Sequence, residues 1–170
     1  PITLTVDPLP TFNLVTTPIS CNGAGDGSIT VTALTGAAPY TYTWSPMGIG
    51  DISNPTGLGP GTYTVTVSDA NTCSTEDQVM LSEPPLLSLS CSEQSQASNG
   101  GSDGIASITL GGGTPTYSYT LSGPLTGSES GLAAGTFSID NLPPGNYRLD
   151  VTDSNNCTDF CEFTITEATP

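Results

Sequence analysis

The chain has 170 residues, of which 16 are Asp or Glu, one is a base (Arg148) and none is Lys or His, so its net charge is −15 at pH 7. This composition excludes binding to nucleic acid or to an anionic membrane surface, because both depend on clustered Lys and Arg. It also excludes every reaction or metal site that requires a lysine or a histidine, and we therefore predict that the chain is not an enzyme.

Short stretches in which apolar and polar residues alternate run along most of the chain, and they are rich in Val, Ile, Leu, Tyr and Thr. Such alternation is typical of half-buried β-strands, because β-branched and aromatic side chains fit a pleated surface with one face covered. No apolar run approaches the roughly 20 residues that span a bilayer, so we expect no direct membrane insertion. We find no signal peptide either. The sequence predicts an all-β fold.

The predicted strands fall into two groups along the chain. The first group is Thr11–Cys21, Ser28–Leu34, Tyr40–Trp44, Thr62–Ser68 and Gln78–Ser82. The second group is Leu86–Cys91, Ile105–Leu110, Tyr117–Leu121, Thr136–Asp140, Asn146–Thr152 and Cys161–Thr166. Several short strands separated by turn signals, here Pro60-Gly61 and Pro144-Gly145, are typical of a β-sandwich.

The two groups are copies of one unit, since residues 60–69 (PGTYTVTVSD) align with residues 144–153 (PGNYRLDVTD). The separation of equivalent positions is 70 from Cys21 to Cys91, 77 from Tyr40 to Tyr117 and 84 from Tyr63 to Tyr147. Two insertions in the second copy account for the increase, one within Ser92–Ser102 and one between Tyr119 and Tyr147, because loops tolerate insertions. We predict two tandem immunoglobulin-like β-sandwich modules, residues 1–85 (with a linking strand at residues 1–10) and residues 86–170.

Four segments of the first copy form a recognisable set, namely CNGAGDGSITV at residues 21–31, PYTYTWS at residues 39–45, GTYTVTVSDANTC at residues 61–73 and the closing Glu83-Pro84. In these segments the first copy resembles the SprB repeat. The second copy is divergent, because Leu121 replaces Trp44 and a longer polar segment follows Cys91. SprB repeats occur in giant cell-surface adhesins of gliding Bacteroidetes, which the type IX secretion system exports. The resemblance implies an extracellular, surface-exposed stalk or adhesive fibre.

Five cysteines in an acidic chain of secreted character indicate two disulfides and one further thiol. The equivalence of the two copies predicts the bridges Cys21–Cys73 and Cys91–Cys157, each joining the first strand of a module to the loop after its tyrosine-containing strand. Cys161 is unpaired in this scheme. Alternatively, Cys161 takes Cys91 and leaves Cys157 free, or bonds another subunit, or all the thiols are free and buried. No Cys-x-x-Cys motif supports a zinc site.

Four acidic residues are candidate calcium ligands. Asp26 and Asp103 lie in Asp-Gly turns, and Asp69 and Asp153 directly follow predicted strands. Calcium binds six to eight oxygen atoms, which loop carboxylates and backbone carbonyls can provide, although neither loop has the EF-hand spacing. The alternative is that the four carboxylates form Asx turns with nearby backbone N–H groups. No other cofactor is predicted.

The aromatic residues favour a structural role over sugar binding. Tyr40, Tyr42 and Trp44 alternate and so share one face of a strand, where exposed rings would stack on sugars. The second copy has Tyr117, Tyr119 and Leu121 at the same places. Because a leucine suits a core better than a sugar platform, we predict that the stripe is core. Tyr63 and Tyr147 are predicted to be tyrosine-corner residues.

The N-terminal residues Ile2, Leu4 and Val6 alternate with threonine, so a strand here has one apolar face that needs a cover. The segment Glu167–Pro170 followed by Pro1–Val6 has the same order of acid, proline and alternating strand as the join between the modules. We expect the 170 residues to be part of a longer array, or a subunit joined head to tail with its neighbours by addition of the Ile2–Val6 strand to a sheet edge. The alternative is that Pro1–Val6 folds back on its own module.

Together these features predict a structural or adhesive repeat module of a secreted cell-surface filament or giant adhesin, whose partners are neighbouring copies of itself. One alternative is a carbohydrate-binding accessory module with surface glycans as partners, which predicts exposed aromatic rings. A second is a calcium-dependent surface-layer assembly protein, which predicts that chelation dissolves the assembly. Catalysis by a carboxylate pair would require a cleft between the two groups, which two small sandwiches without long loops do not predict.

Overall fold

The computed structural model describes residues 7–170, which form β-strands joined by turns and no helix. The all-β prediction is confirmed. The chain divides into two compact units, Pro1–Glu83 and Pro84–Pro170, which we call module 1 and module 2. The division falls two residues before the predicted boundary. Among the described residues there is accordingly no helix of the length and apolar character needed to cross a membrane.

Module 1 is built from two small antiparallel sheets. Its strands are β1 (Thr11–Thr17), β2 (Gly27–Thr35), β3 (Thr41–Ser45), β4 (Thr56–Leu58), β5 (Gly61–Ser68) and β6 (Ser74–Leu81). The sheets have the orders β1-β2-β4 and β3-β5-β6. Alternate side chains of the strands point inward and form one core, which includes Ile29, Val31, Trp44, Val65 and Val67.

Module 2 repeats this plan with one strand more. Its strands are β7 (Ser88–Ser95), β8 (Gly104–Gly111), β9 (Tyr117–Ser122), β10 (Gly127–Leu132), β11 (Gly135–Leu142), β12 (Gly145–Thr152) and β13 (Thr158–Ile165). They form the sheets β11-β8-β7 and β10-β9-β12-β13 around a core that includes Ile108, Tyr117, Leu121, Leu149 and Val151. The sheet β1-β2-β4 faces β3-β5-β6 in module 1, and β11-β8-β7 faces β10-β9-β12-β13 in module 2. Each module is therefore an immunoglobulin-like β-sandwich.

The sheet registers show which residues of the two modules are equivalent. Leu14 pairs with Val31 in module 1, and Cys91 pairs with Ile108 in module 2. Each residue of the module 2 pair lies 77 positions after the corresponding residue of the module 1 pair. The counterpart of Cys91 is therefore Leu14. The predicted equivalence of Cys91 and Cys21 is therefore wrong, and so is the predicted insertion within Ser92–Ser102 that it required.

The segment between Tyr119 and Tyr147 is longer than its counterpart in module 1 and contains β10, which adds a fourth strand next to β9. The alternation of side chains could not predict β10 (GSESGL), because nearly all of its residues are exposed. It could not predict β4 either, since that strand has only three residues. β1 ends at Thr17 and not at Cys21, because Pro18 has no N–H with which to continue the ladder.

Candidate functional site

A disulfide between Cys91 and Cys161 links the two sheets of module 2. Cys91 lies on β7, at the edge of one sheet, and Cys161 lies on β13, at the edge of the other. Both side chains point towards the core, and the two Cα atoms are 5.9 Å apart. The predicted bridge Cys91–Cys157 is therefore wrong, and Cys161 is not unpaired. The alternative in which Cys161 bonds Cys91 is correct for that pair, but Cys157, which it left free, is itself disulfide-bonded.

Cys73 is a free cysteine, so the predicted bridge Cys21–Cys73 is also wrong. Its backbone N–H donates to the carboxylate of Asp69 at 3.0 Å, within the turn that precedes β6. Neither Cys21 nor Cys157 is a free thiol. Both pairing errors have one cause, because each assumed that Cys21 and Cys91 occupy equivalent positions in their modules.

Asp69 is a buried carboxylate that accepts hydrogen bonds from three backbone N–H groups. Its Oδ1 accepts from Asn71 at 2.9 Å and from Cys73 at 3.0 Å, and its Oδ2 accepts from Ala37 at 3.1 Å. In module 2, Asp153 is buried and accepts the same three bonds, from Asn155, Cys157 and Thr114 at 2.9, 2.9 and 2.7 Å. Each aspartate thereby connects the end of one strand to the loop that precedes β3 or β9.

Asp26 and Asp103 hold the turn that begins the second strand of their module. Asp26 accepts hydrogen bonds from the backbone N–H of Ser20, at 2.9 Å, and from its hydroxyl. Asp103 accepts from the N–H of Ser98 at 2.7 Å and from its hydroxyl at 2.9 Å. Because these bonds favour the charged carboxylate, the hydroxyl and N–H of Ser20 lower the pKa of Asp26. The N–H and hydroxyl of Ser98 lower the pKa of Asp103 in the same way.

The four candidate calcium ligands are thus used within the fold. Each carboxylate accepts hydrogen bonds from the protein, as the Asx-turn alternative requires. In the part of the chain that the structure describes, no group of three or more His, Cys, Asp or Glu side chains could hold a metal ion. The geometry favours the turn interpretation of Asp26, Asp69, Asp103 and Asp153.

The aromatic stripe of β3 belongs to the core of module 1. Trp44 is only 4% exposed, and its Nε1–H donates to the carbonyl oxygen of Ile52 at 2.9 Å. Tyr40 and Tyr42 are half-buried against the same core, and the hydroxyl of Tyr40 donates to the carbonyl oxygen of Gly36 at 3.1 Å. A buried indole cannot stack on a sugar ring, so the stripe has the core role that the comparison with module 2 predicted.

Tyr63 and Tyr147 have the geometry of a tyrosine corner. The hydroxyl of Tyr63 donates to the carbonyl oxygen of Gly59 at 3.0 Å, four residues earlier in the chain. The hydroxyl of Tyr147 donates to Pro143 at 2.9 Å, also four residues earlier. Each tyrosine therefore fixes the turn through which the chain enters β5 or β12.

The chain's single cation forms a cluster on the outer face of β12 and β13. The guanidinium of Arg148 donates through Nη2 and Nε to Asp150, at 2.7 and 2.9 Å, and its Nη1 lies 3.8 Å from the carboxylate of Glu162. The guanidinium also lies 3.8 Å from the ring centre of Phe160. The hydrogen bonds from Arg148 lower the pKa of Asp150. The sequence analysis did not identify this cluster, although residues two apart on a strand share a face.

Four further hydrogen bonds connect the ends of the same two strands of module 2, β7 and β13. The N–H of Ala97 donates to the carbonyl oxygen of Thr166 at 2.9 Å, and the N–H of Ala168 donates to the carbonyl oxygen of Ala97 at 2.8 Å. The carboxylate of Glu93 accepts from the N–H and the hydroxyl of Thr166, at 2.6 and 2.7 Å. We call these contacts and the Cys91–Cys161 disulfide together the clasp of module 2.

Module 1 has different residues at the positions of the clasp. By register and repeat, the counterparts of Cys91, Cys161, Glu93 and Ala168 are Leu14, Asp77, Thr16 and Pro84. A leucine and an aspartate cannot form a disulfide, so the cross-link between the sheets at these positions is specific to module 2. β13 accordingly lies along β7, whereas β6 approaches β1 at only a few positions. We call the β7 edge of module 2 closed, because β13 lies along it, and the β1 edge of module 1 open, because β6 does not.

Comparison with known proteins agrees with the repeat that the motifs indicate. The family model of the SprB repeat matches residues 13–48 and 99–126. No curated protein sequence matches the chain significantly.

Solved structures of similar arrangement include domains 4 and 5 of the S-layer protein SbsC (13% identity, 94% of this chain and 100% of that chain, TM-score 0.41). They also include titin domains I67–I69 (15% identity, 94% and 66%, TM-score 0.43) and the first two immunoglobulin domains of DIP-gamma (10% identity, 97% and 100%, TM-score 0.43). The family model of the SprB repeat thus matches one segment in each module.

Proposed function

We propose that the chain is a structural module of an extracellular surface fibre or adhesin, in which tandem SprB repeats act as a stalk. The observation that carries this proposal is the presence of one SprB repeat in each module. Export to the cell surface by the type IX system, and a part in gliding motility, belong to the proposal because proteins with SprB repeats share them.

The side chains that could perform chemistry support a structural role. The four candidate calcium ligands bind groups of their own turns, Trp44 is in the core, and Arg148 is paired with Asp150. Small sandwiches held by disulfides are typical of proteins outside the cell, where thiols oxidise. We therefore propose a module that transmits position and tension, with no catalytic step of its own.

Neighbouring copies of the chain are the proposed partners. The proposed assembly strand of Ile2, Leu4 and Val6 lies outside the described residues. Support for head-to-tail joining comes from the sequence of the ends, in which Glu167–Pro170 has the same order of acid and proline as the segment that joins the modules. Prolines keep such a segment extended and stiff, which suits a fibre that must hold its modules apart.

Lack of basic residues should also protect an exposed fibre from trypsin-like proteases. The single possible cleavage site, Arg148, lies on β12, which is hydrogen-bonded to β9 on one side and to β13 on the other. A protease needs several residues of extended, accessible backbone, which a central strand does not offer. Acidic residues are common in the loops and strands, so a Glu-specific protease finds more targets.

Labelling of intact cells tests the proposed location and role. Cells that produce the protein are incubated with an antibody against the two modules, before and after treatment with trypsin or with a Glu-specific protease. We expect filamentous label on intact cells, retained after trypsin and reduced after the Glu-specific enzyme. A cytoplasmic protein labelled in parallel controls for lysis. Label that appears only after the cells are opened would contradict the proposal.

A further inference from the structure

β1 is an edge strand of module 1, and a defined set of its backbone N–H and C=O groups points away from the neighbouring strand β2. The N–H of Ile29 on β2 donates to the carbonyl oxygen of Pro55 at 3.0 Å. The N–H of Val31 donates in the same direction, to Ser53 at 2.8 Å. Successive residues of a strand direct their N–H and C=O groups to alternate sides. The residues of β2 that face β1 are therefore Ser28, Thr30 and Thr32, which are paired with Thr17, Val15 and Asn13.

It follows that Phe12, Leu14 and Thr16 direct their N–H and C=O groups away from β2, towards the open edge. None of these backbone groups forms a hydrogen bond within residues 7–170. Edge strands of this kind are templates for another strand, and proteins usually protect them with charged residues, prolines or a covering element. β1 (TFNLVTT) contains no charge and no proline.

The side chains of β1 also lack a full cover. Phe12 and Leu14 point towards the core but remain half-buried. Asp77, which occupies the position of Cys161, is exposed. An added strand with apolar residues on one face would cover Phe12 and Leu14 and would extend the sheet by one strand.

The N-terminal segment Ile2–Val6 matches this edge in length and pattern. The outward groups span the five residues from Phe12 to Thr16, and Ile2–Val6 also has five residues, with apolar side chains at alternate positions. A strand of that length can therefore pair along the whole outward row while its apolar face meets the half-buried side chains.

The residues that connect Ile2–Val6 to β1 favour extended backbone. Asp7 and Leu9 each precede a proline, which disfavours helical backbone and favours an extended conformation at these two residues. Leu9 still follows β2, since its carbonyl oxygen accepts from the hydroxyl of Thr35 at 3.3 Å, and Pro10 is fully buried. The chain therefore enters β1 from an extended segment at residues 7–10.

We propose that the β1 edge of module 1 is the acceptor for the Ile2–Val6 strand of a second copy of this chain. This inference deepens the proposed function, because it assigns the surface through which copies join. Each chain then offers one donor strand and one acceptor edge, since β13 already lies along the equivalent edge of module 2. Such a heterologous contact generates an open linear assembly unless the rotation between copies closes a ring.

Sedimentation of the full chain and three variants tests this assignment. Thr16→Pro removes an outward N–H without removing a bond to β2, and proline is tolerated on the solvent side of an edge strand. Thr16→Ala is the matched control, because it changes the same side chain and keeps the N–H. Ile2→Thr/Leu4→Thr/Val6→Thr removes the apolar face of the donor and leaves the acceptor intact. Circular dichroism melting of each variant, at a concentration where it is monomeric, checks that module 1 remains folded.

We expect wild type and Thr16→Ala to self-associate with rising concentration, and the Thr16→Pro and triple-threonine variants to associate at least tenfold more weakly. A mixture of these two weak variants should form a one-to-one complex and no larger species, because each supplies the part that the other lacks. Association that persists in Thr16→Pro or in the triple variant would overturn the assignment. So would a wild-type chain that stays monomeric at every concentration, as it would if Ile2–Val6 covered its own module. Either result leaves the labelling test of surface location unaffected.

Discussion

The two modules have the same strand plan and the same buried turns, yet they treat one sheet edge in opposite ways. In module 2 the clasp holds β7 against β13, whereas in module 1 the equivalent strands β1 and β6 are not joined. The difference lies in a few residues, with Leu14 and Asp77 in the places of a disulfide-bonded pair. Two repeats with equivalent cores can thus differ at one sheet edge, which is closed in one repeat and open in the other.

What the modules have in common indicates which features the repeat requires. Asp69 and Asp153 accept the same three hydrogen bonds, and Tyr63 and Tyr147 donate to carbonyl oxygens at the same spacing. These contacts hold turns inside each module and do not involve its edges. The repeat therefore fixes its turns strictly, while its edges are available for differences in assembly.

Removal of the disulfide should produce the largest effect. Cys91→Ala/Cys161→Ala removes a cross-link over 70 residues, and we expect the free energy of unfolding of module 2 to fall by about 4 kcal/mol, mainly because the unfolded chain gains freedom. Urea unfolding followed by tyrosine fluorescence measures this change. Cys73→Ala, at the free thiol, should change stability by no more than about 0.5 kcal/mol. A disulfide variant as stable as Cys73→Ala would show that the clasp does not distinguish the modules energetically.

Loss of the buried aspartates should rank next and should affect the modules equally. Asp69→Ala leaves three backbone N–H groups without an acceptor, and we expect module 1 to lose about 3 kcal/mol of stability, since hydrogen bonds to a charged group are worth more than neutral ones. Asp153→Ala should cost module 2 a similar amount. Denaturant unfolding of both variants makes the comparison, and a difference above about 2 kcal/mol would mean that the turns are not equivalent.

A smaller effect is expected at a backbone position that the modules fill differently. Thr72 and Asn156 both have a φ of 65°, a left-handed conformation that is costly for a β-branched residue and less so for Asn. Thr72→Asn should therefore stabilise module 1 by about 1 kcal/mol, and Asn156→Thr should destabilise module 2 by a similar amount. Thermal unfolding detects both shifts, which must have opposite signs for this explanation to hold.

The smallest effect should come from the exposed carboxylates of the Asp-Gly turns. Hydrogen bonds hold the folded-state pKa of Asp26 and of Asp103 below the ordinary value of 3.8. Each group therefore stabilises the fold above pH 3.8 and loses that contribution as the pH falls through the folded-state pKa. Asp26→Asn and Asp103→Asn should melt below wild type at pH 7 and approach it at lower pH. A difference in melting temperature between variant and wild type that does not change with pH would assign the effect to side-chain shape and not to charge.

Part of this structure could be predicted from the sequence, because alternation and spaced motifs are local signals. The all-β class, the two repeats and the core role of Trp44 follow from side-chain periodicity and from comparison of the copies. The cysteine partners do not, since they depend on the register in which β1 pairs with β2 and β7 with β8. Aligning the two copies on their cysteines made Cys21 the counterpart of Cys91, which is not the equivalence that the strand registers give.

The open edge was also beyond prediction from the sequence. It results from the distance between two strands of opposite sheets, which no single strand reveals, and from the direction of backbone groups, which depends on the pairing partner. Conversely, the cluster of Arg148 and Asp150 was predictable, because two residues of opposite charge at positions i and i+2 of a strand must share a face.

Amide hydrogen exchange of the full chain, followed by nuclear magnetic resonance at low and high protein concentration, tests the central claim most directly. We predict that the amides of Phe12, Leu14 and Thr16 exchange rapidly in dilute solution and become protected as concentration rises, since another copy then supplies their acceptors. The amides of β7 should keep the same protection throughout. Protection of β1 that does not change with concentration, or a change confined to β7, would contradict the account of one open and one closed edge.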